Sequence, residues 1–130
     1  MKTLQPPGWG APRGYAHGIA ARGRLVFVSG QVGWNAAQEL SSDDFVAQAT
    51  QALRNVAAVL QEGGATPAHV VRMTWYVTDR REYLASLPAL GKAYREIMGR
   101  HYPAMTAVEV SALVEEGARV EIEATAVVPD

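Results

Sequence analysis

Between Pro103 and Val128 apolar and polar residues alternate through the stretch PAMTAVEVSALVEEGARVEIEATAVV. Val108 and Val110 alternate with Ala107, Glu109 and Ser111, and Val120, Ile122, Ala124 and Ala126 alternate with Glu121, Glu123 and Thr125. A period of two predicts strands with one apolar face and one face bearing Glu109, Glu121 and Glu123. A short acidic turn, Glu115-Glu116-Gly117, is expected to join them, with Gly117 free to take a positive φ. Two further stretches read as strands. Leu25, Val26, Phe27 and Val28 in a row suggest a strand over Arg24–Val32 covered on both faces. His69–Thr78 is rich in β-branched and aromatic residues, with Val71, Met73, Trp75 and Val77 facing one way and Arg72, Thr74 and Tyr76 the other.

Helical spacing replaces alternation in two places. Phe45, Ala49, Leu53, Val56 and Leu60 recur on one face, opposite Asp44, Gln48, Gln51 and Gln61. Ser41-Ser42 supplies a hydroxyl cap, Asp43-Asp44 places acids at the positive end of the dipole, and Gly63-Gly64 ends the helix. A second helix, roughly Arg81–Met98 after a capping Asp79, carries Leu84, Leu87, Leu90, Tyr94 and Ile97 as its buried stripe. Pro88 should kink it, break it or start a fresh turn, because proline lacks the N–H the ladder needs. Residues 1–14, with three prolines and three glycines, read as an irregular arm, and Tyr15–Ala21 as a strand turning at Arg22-Gly23. The order is β-β-α-β-α-β-β: an α+β domain whose two helices cover one face of a mixed sheet. The other face keeps Val26 or Phe27 and Tyr76 among polar residues, the mark of an oligomer contact.

Composition narrows the chemistry. A chain of 130 residues, 48% hydrophobic, is expected to form one domain (1–130) that buries about two-thirds of its unfolded surface. A formal net charge of -1 offers no general attraction to nucleic acid or to anionic membranes. The absence of cysteine excludes disulfides and thiolate chemistry. No apolar run approaches the ~18 residues of a membrane span, and the first residues hold no apolar segment of signal-peptide length, so a cytoplasmic location is the expectation. His17, His69 and His101 share no metal-ligand spacing, no phosphate-binding or nucleophile-elbow motif occurs, and no metal or cofactor is assigned.

Val108-Glu109-Val110, then Leu113, then Val120-Glu121-Ile122-Glu123-Ala124 resembles the C-terminal signature of the RidA/YjgF family, and Tyr15-x-x-Gly18 with Val28-Ser29-Gly30-Gln31 resembles it again. The family pattern runs P-A-R-S/T-x-V-E-V, L-P-x-G, V-E-I-E-A; here Met105 stands at the arginine, and the turn is one residue longer and lacks the proline. The resemblance covers the chain from Tyr15 on. It implies a chorismate-mutase-like fold, a homotrimer, and small-molecule clefts between subunits. It implies Glu121 as the residue holding an attacking water, with Tyr15, Ser29, Gly30, Met105 and Ala107 lining the cleft. From the residue alone, Glu121 reads equally as an ion-pair partner on an outer strand face. Glu109 and Glu123 are read as ion-pair members, Trp75 as core, and Trp34 as either wall or surface.

Met105 decides the chemistry. Family deaminases hold a substrate carboxylate with a bidentate arginine there; methionine offers polarisable packing without charge. Arg100, His101 and Arg119 are candidate substitute cations. Two functions follow: deamination of an enamine or imine by water, with 2-imino acids disfavoured, or a module that binds a small apolar metabolite without turning it over. A ribonuclease or translation-inhibitor role ranks last, since the chain lacks a basic stripe.

Overall fold

The computed structural model describes residues 1–130. A two-stranded ribbon pairs β1 (Lys2–Leu4) with β2 (Gly18–Ala20), and a four-stranded sheet follows from β3 (Arg24–Gln31), β4 (Val70–Val77), β5 (Ala104–Glu109) and β6 (Val120–Val128). The helices are α1 (Phe45–Glu62), α2 (Arg80–Ala85) and α3 (Leu87–Met98), with a single 3₁₀ turn at Pro67–His69. Sheet order is β3-β6-β4-β5, with β6 antiparallel to both neighbours and β5 parallel to β4. No helix is long and apolar enough to cross a membrane.

The alternation in β6 is realised residue by residue: Val120, Ile122, Ala124 and Ala126 are buried under the helices, while Glu121, Glu123 and Thr125 turn to the other face. Phe45, Ala49, Leu53, Val56 and Leu60 of α1 complete the core, each large side chain contributing about 1.5–3 kcal/mol by leaving water. Asp44 caps α1, its carboxylate accepting from the Ala47 N–H at 2.9 Å, while the Ser42 hydroxyl accepts from Asp44 N–H. The cap is therefore the acid, and the serine buttresses it.

Six expectations are corrected. The strands flanking the acidic turn are not neighbours; β4 lies between them, and the connection crosses over its end. Val70, not Val71, is fully buried, because the β4–β6 register shifts between Val70 and Arg72 and one residue is bulged out. Gln48, placed on the polar side of α1, is 1% exposed: its amide donates to the carbonyls of Ser42 and Gly117 and accepts from Arg119 N–H at 2.8 Å. Pro88 starts a fresh helix, one of the outcomes its position allowed, and on the two helices that result Leu84 and Leu87 are exposed rather than part of the buried stripe. The arm contains β1, with Leu4 packed over Gly18, and β2 begins only at Gly18. In β3, Val28 is buried, but Leu25 and Phe27 are 56% and 71% exposed, so this chain covers one face of that strand.

Candidate functional site

Gly30 sits where the β3–β6 register shifts between Val28 and Gln31, so the Ser29-Gly30 step is a bulge inside a strand. The bulge lies against Glu121, and a Cβ added at Gly30 would collide with the Glu121 carboxylate. Glycine here is what allows the acid to lie flat over the β3 backbone. Both Glu121 oxygens lack a protein hydrogen-bond partner, whereas the neighbouring Glu123 accepts from the Tyr76 hydroxyl at 2.6 Å. That hydrogen bond, with burial and the charges of Glu123 and Glu121, holds the Tyr76 phenol above its usual value. On the same open face, a groove of about 400 Å³ runs between Phe27, Ser29, Arg72, Thr74, Glu123 and Thr125.

Met105 faces the opposite way. It stands in register with Met73 on the helix side of the sheet and borders a cavity of about 320 Å³ under α3. Trp75, Tyr83, Leu90, Tyr94 and Tyr102 supply the apolar body of that cavity. The segment before β2 runs alongside: Ala16 N–H donates to Pro103 O at 2.9 Å, and Arg13 and Gly14 form part of the wall. Tyr15, between them, is half-buried and stands edge-on to the His17 ring. Ala107 shares the Met105 side of β5 and is exposed. Burial raises the Tyr83 and Tyr94 phenols, and Tyr94 donates to His101 O.

The site residues read from the sequence therefore form two groups. Ser29, Gly30 and Glu121 converge on the open face beside β3, and Tyr15, Met105 and Ala107 gather at the other edge strand, β5. Within one chain the sheet separates them. The substitute cations are otherwise engaged or remote: Arg119 pairs with Glu82 at 3.3 Å, the His101 ring bonds Val70 O, and Arg100 lies exposed past the end of α3. Arg13 and Arg95, which the sequence reading passed over, border the Met105 cavity instead. The available signal was Gly91, an expensive residue in the middle of a helix, one turn before Arg95. Trp75 is core as expected, with its indole N–H unpartnered, and half-buried Trp34 walls a separate hollow with Asn35 and Asn55. No three His, Asp or Glu side chains gather as a metal site.

The Endoribonuclease L-PSP family profile matches residues 9–128. A 2-iminobutanoate/2-iminopropanoate deaminase from Salmonella typhimurium is 32% identical over 113 residues, covering 87% of this chain and 86% of the relative. A solved structure of a Rid-family protein from Yersinia pestis superposes with a TM-score of 0.86 at 35% identity, covering 98% of each chain. Escherichia coli TdcF, solved with bound serine, superposes with a TM-score of 0.68 at 29% identity over 98% of both chains.

Proposed function

The chain belongs to the Endoribonuclease L-PSP family, the group that the RidA/YjgF motifs indicated, and we propose on that footing that it is a homotrimeric deaminase of small enamines or imines. The observation that carries the reading is the division of the site. An unpartnered carboxylate at Glu121 and an apolar cavity at Met105 occupy opposite faces of one sheet, so a complete site needs Glu121 of one copy against Met105 of another. The bare Leu25 and Phe27 on the open face give neighbouring copies an apolar surface to bury.

In that cleft the Glu121 carboxylate accepts a hydrogen bond from water and takes its proton as the oxygen adds to the imine carbon. That proton passes to the imine nitrogen, giving the carbinolamine. Glu121 then takes the hydroxyl proton and hands it to nitrogen as the carbonyl forms and the carbon–nitrogen bond breaks, so both water protons leave on ammonia and the other product is a carbonyl compound. Backbone carbonyls of the Met105–Ala107 strand supply a second acceptor for the same water. Met105 offers no charge, so short 2-imino acids, whose carboxylate would lie at that position, are expected to turn over slowly. The relatives named as 2-iminobutanoate/2-iminopropanoate deaminases support the reaction class, not the substrate.

Ammonia release from neutral and acidic imines, generated in place, tests the reading. Glu121→Gln should cut the rate by about 100-fold or more at unchanged thermal stability, and sedimentation should give about three times 14.0 kDa. A monomer, or a Glu121→Gln protein as fast as its parent, refutes it. The methionine and the aromatic cavity walls favour a second reading, a trimer that binds a metabolite without hydrolysing it. Saturable ligand binding with no ammonia from any imine would select that alternative.

A further inference from the structure

We infer that Arg13 and Arg95 form an anion-binding mouth on the Met105 cavity, and that its ligand is a carboxylate carrying a bulky apolar or aromatic body. The inference rests on the cleft reading above and names the ligand class for that cleft.

The cavity is amphipathic in a particular order. Its interior is Trp75, Tyr83, Leu90, Tyr94, Tyr102 and Met105, and no carboxylate of the same chain belongs to its lining. Its only formal charges are the two guanidinium groups, which reach it from separate elements, the segment before β2 and the last turn of α3. Both arginines are exposed, and neither forms an ion pair; the one ion pair in the chain is Arg119–Glu82. Two cations border one apolar hollow with no acid of the same chain among its walls, and an anion bound at its rim gains attraction from both.

Gly91 supports the assignment independently. One helical turn before Arg95, it lies inside α3, where glycine is disfavoured relative to alanine. A Cβ there would stand 3.1 Å from Arg95 Nη1, so the missing side chain is the space in which the guanidinium lies over the helix and against the cavity. The position of the charge sets the ligand's length. A carboxylate at half-buried Met105 would have only uncharged side chains of the cavity beside it, whereas a carboxylate beside the exposed arginines leaves the cavity for its apolar body. Short acids are therefore poor ligands and longer aromatic acids good ones.

Titration calorimetry on the intact protein with 3-phenylpropionate, its neutral amide 3-phenylpropanamide, and propionate tests this without requiring turnover. Absence of ammonia release would thus count against the deaminase and leave this inference standing. The acid is expected to bind about tenfold more tightly than the amide, the lower end for hydrogen bonds to charged groups because the arginines are exposed, and propionate more weakly than either. Arg13→Gln and Arg95→Gln should each reduce the acid-over-amide preference, and the double variant should abolish it, with the sedimenting mass of the parent retained. Equal binding of acid and amide, no binding of either, or a preference that survives the double variant overturns the inference. So does loss of assembly in that variant, which would assign the arginines to a neighbouring copy's surface.

Discussion

The two faces of the sheet are built from the same strands and do opposite things. On the helix side, Val120, Ile122 and Met73 meet Leu53, Val56 and Leu60 with no measurable exposure. On the open side, the alternate residues of the same strands are Glu121, Glu123, Thr125, Arg72 and Tyr76, with Phe27 bare beside them. A period of two lets a nine-residue strand such as β6 spend half its side chains on folding and leave the other half for recognition. The lesson lies in the price of error. Substitutions on the covered face should be read in stability, and those on the open face in assembly and chemistry.

The comparison breaks first at Leu53. Leu53→Ala should lower the free energy of unfolding in urea by about 2–5 kcal/mol through lost transfer energy and a cavity. A loss below about 1 kcal/mol would mean that the helix side is not the sealed one. Gln48→Ala should come next, at about 1–3 kcal/mol, because it removes the partner of the Arg119 N–H and of the Ser42 and Gly117 carbonyls in a partly buried place.

Alkaline titration samples both faces at once. The Tyr76, Tyr83 and Tyr94 phenols are all raised above their ordinary value of 10.0 in the folded chain. Their stabilising effect is complete below pH 10 and is lost as pH rises above it, since the unfolded chain then releases protons that the folded chain retains. Thermal melts should hold level from pH 7 to about 9.5 and fall beyond; Tyr94→Phe should reduce that fall more than Tyr76→Phe. Phe27→Ser should leave the protomer's secondary structure intact while shifting the sedimenting mass toward that of one chain. Gln51→Ala, on the outer side of α1, should change stability by less than about 0.5 kcal/mol.

Periodicity made most of the fold legible. The buried stripe of α1, the faces of β6 and the open side of β4 were all written in spacing, and the motifs around Val108–Val110 and Val120–Ala124 named the family. What spacing does not encode is partnership. Gln48 looks like any polar helix residue until its amide meets Ser42, Gly117 and Arg119, two of which are some 70 residues away. Val71 loses its place in the core to a bulge, a defect of register between two strands rather than a property of either. The candidate site divided along the same line. Glu121 and Gly30 could be paired because the motifs carried them, but Arg13 and Arg95 reach one cavity from distant segments, and no local pattern links them.

The strand order also constrains how the molecule comes into being. β6, last of the six strands in the chain, lies in the interior of the sheet between β3 and β4. During synthesis from the N-terminus, β3, β4 and β5 emerge with the centre of their sheet missing. Two strand edges then stand unpaired, each open to pairing with another chain. The sheet cannot close by growing outward from a finished hairpin; it must wait for a segment about a hundred residues downstream of β3 to insert between strands already made. Residues 120–128 are therefore the keystone of assembly in time as well as in space. A ribosome that stalls within them leaves a chain with all three helices and most of the core residues, and without the central strand of the sheet on which they pack.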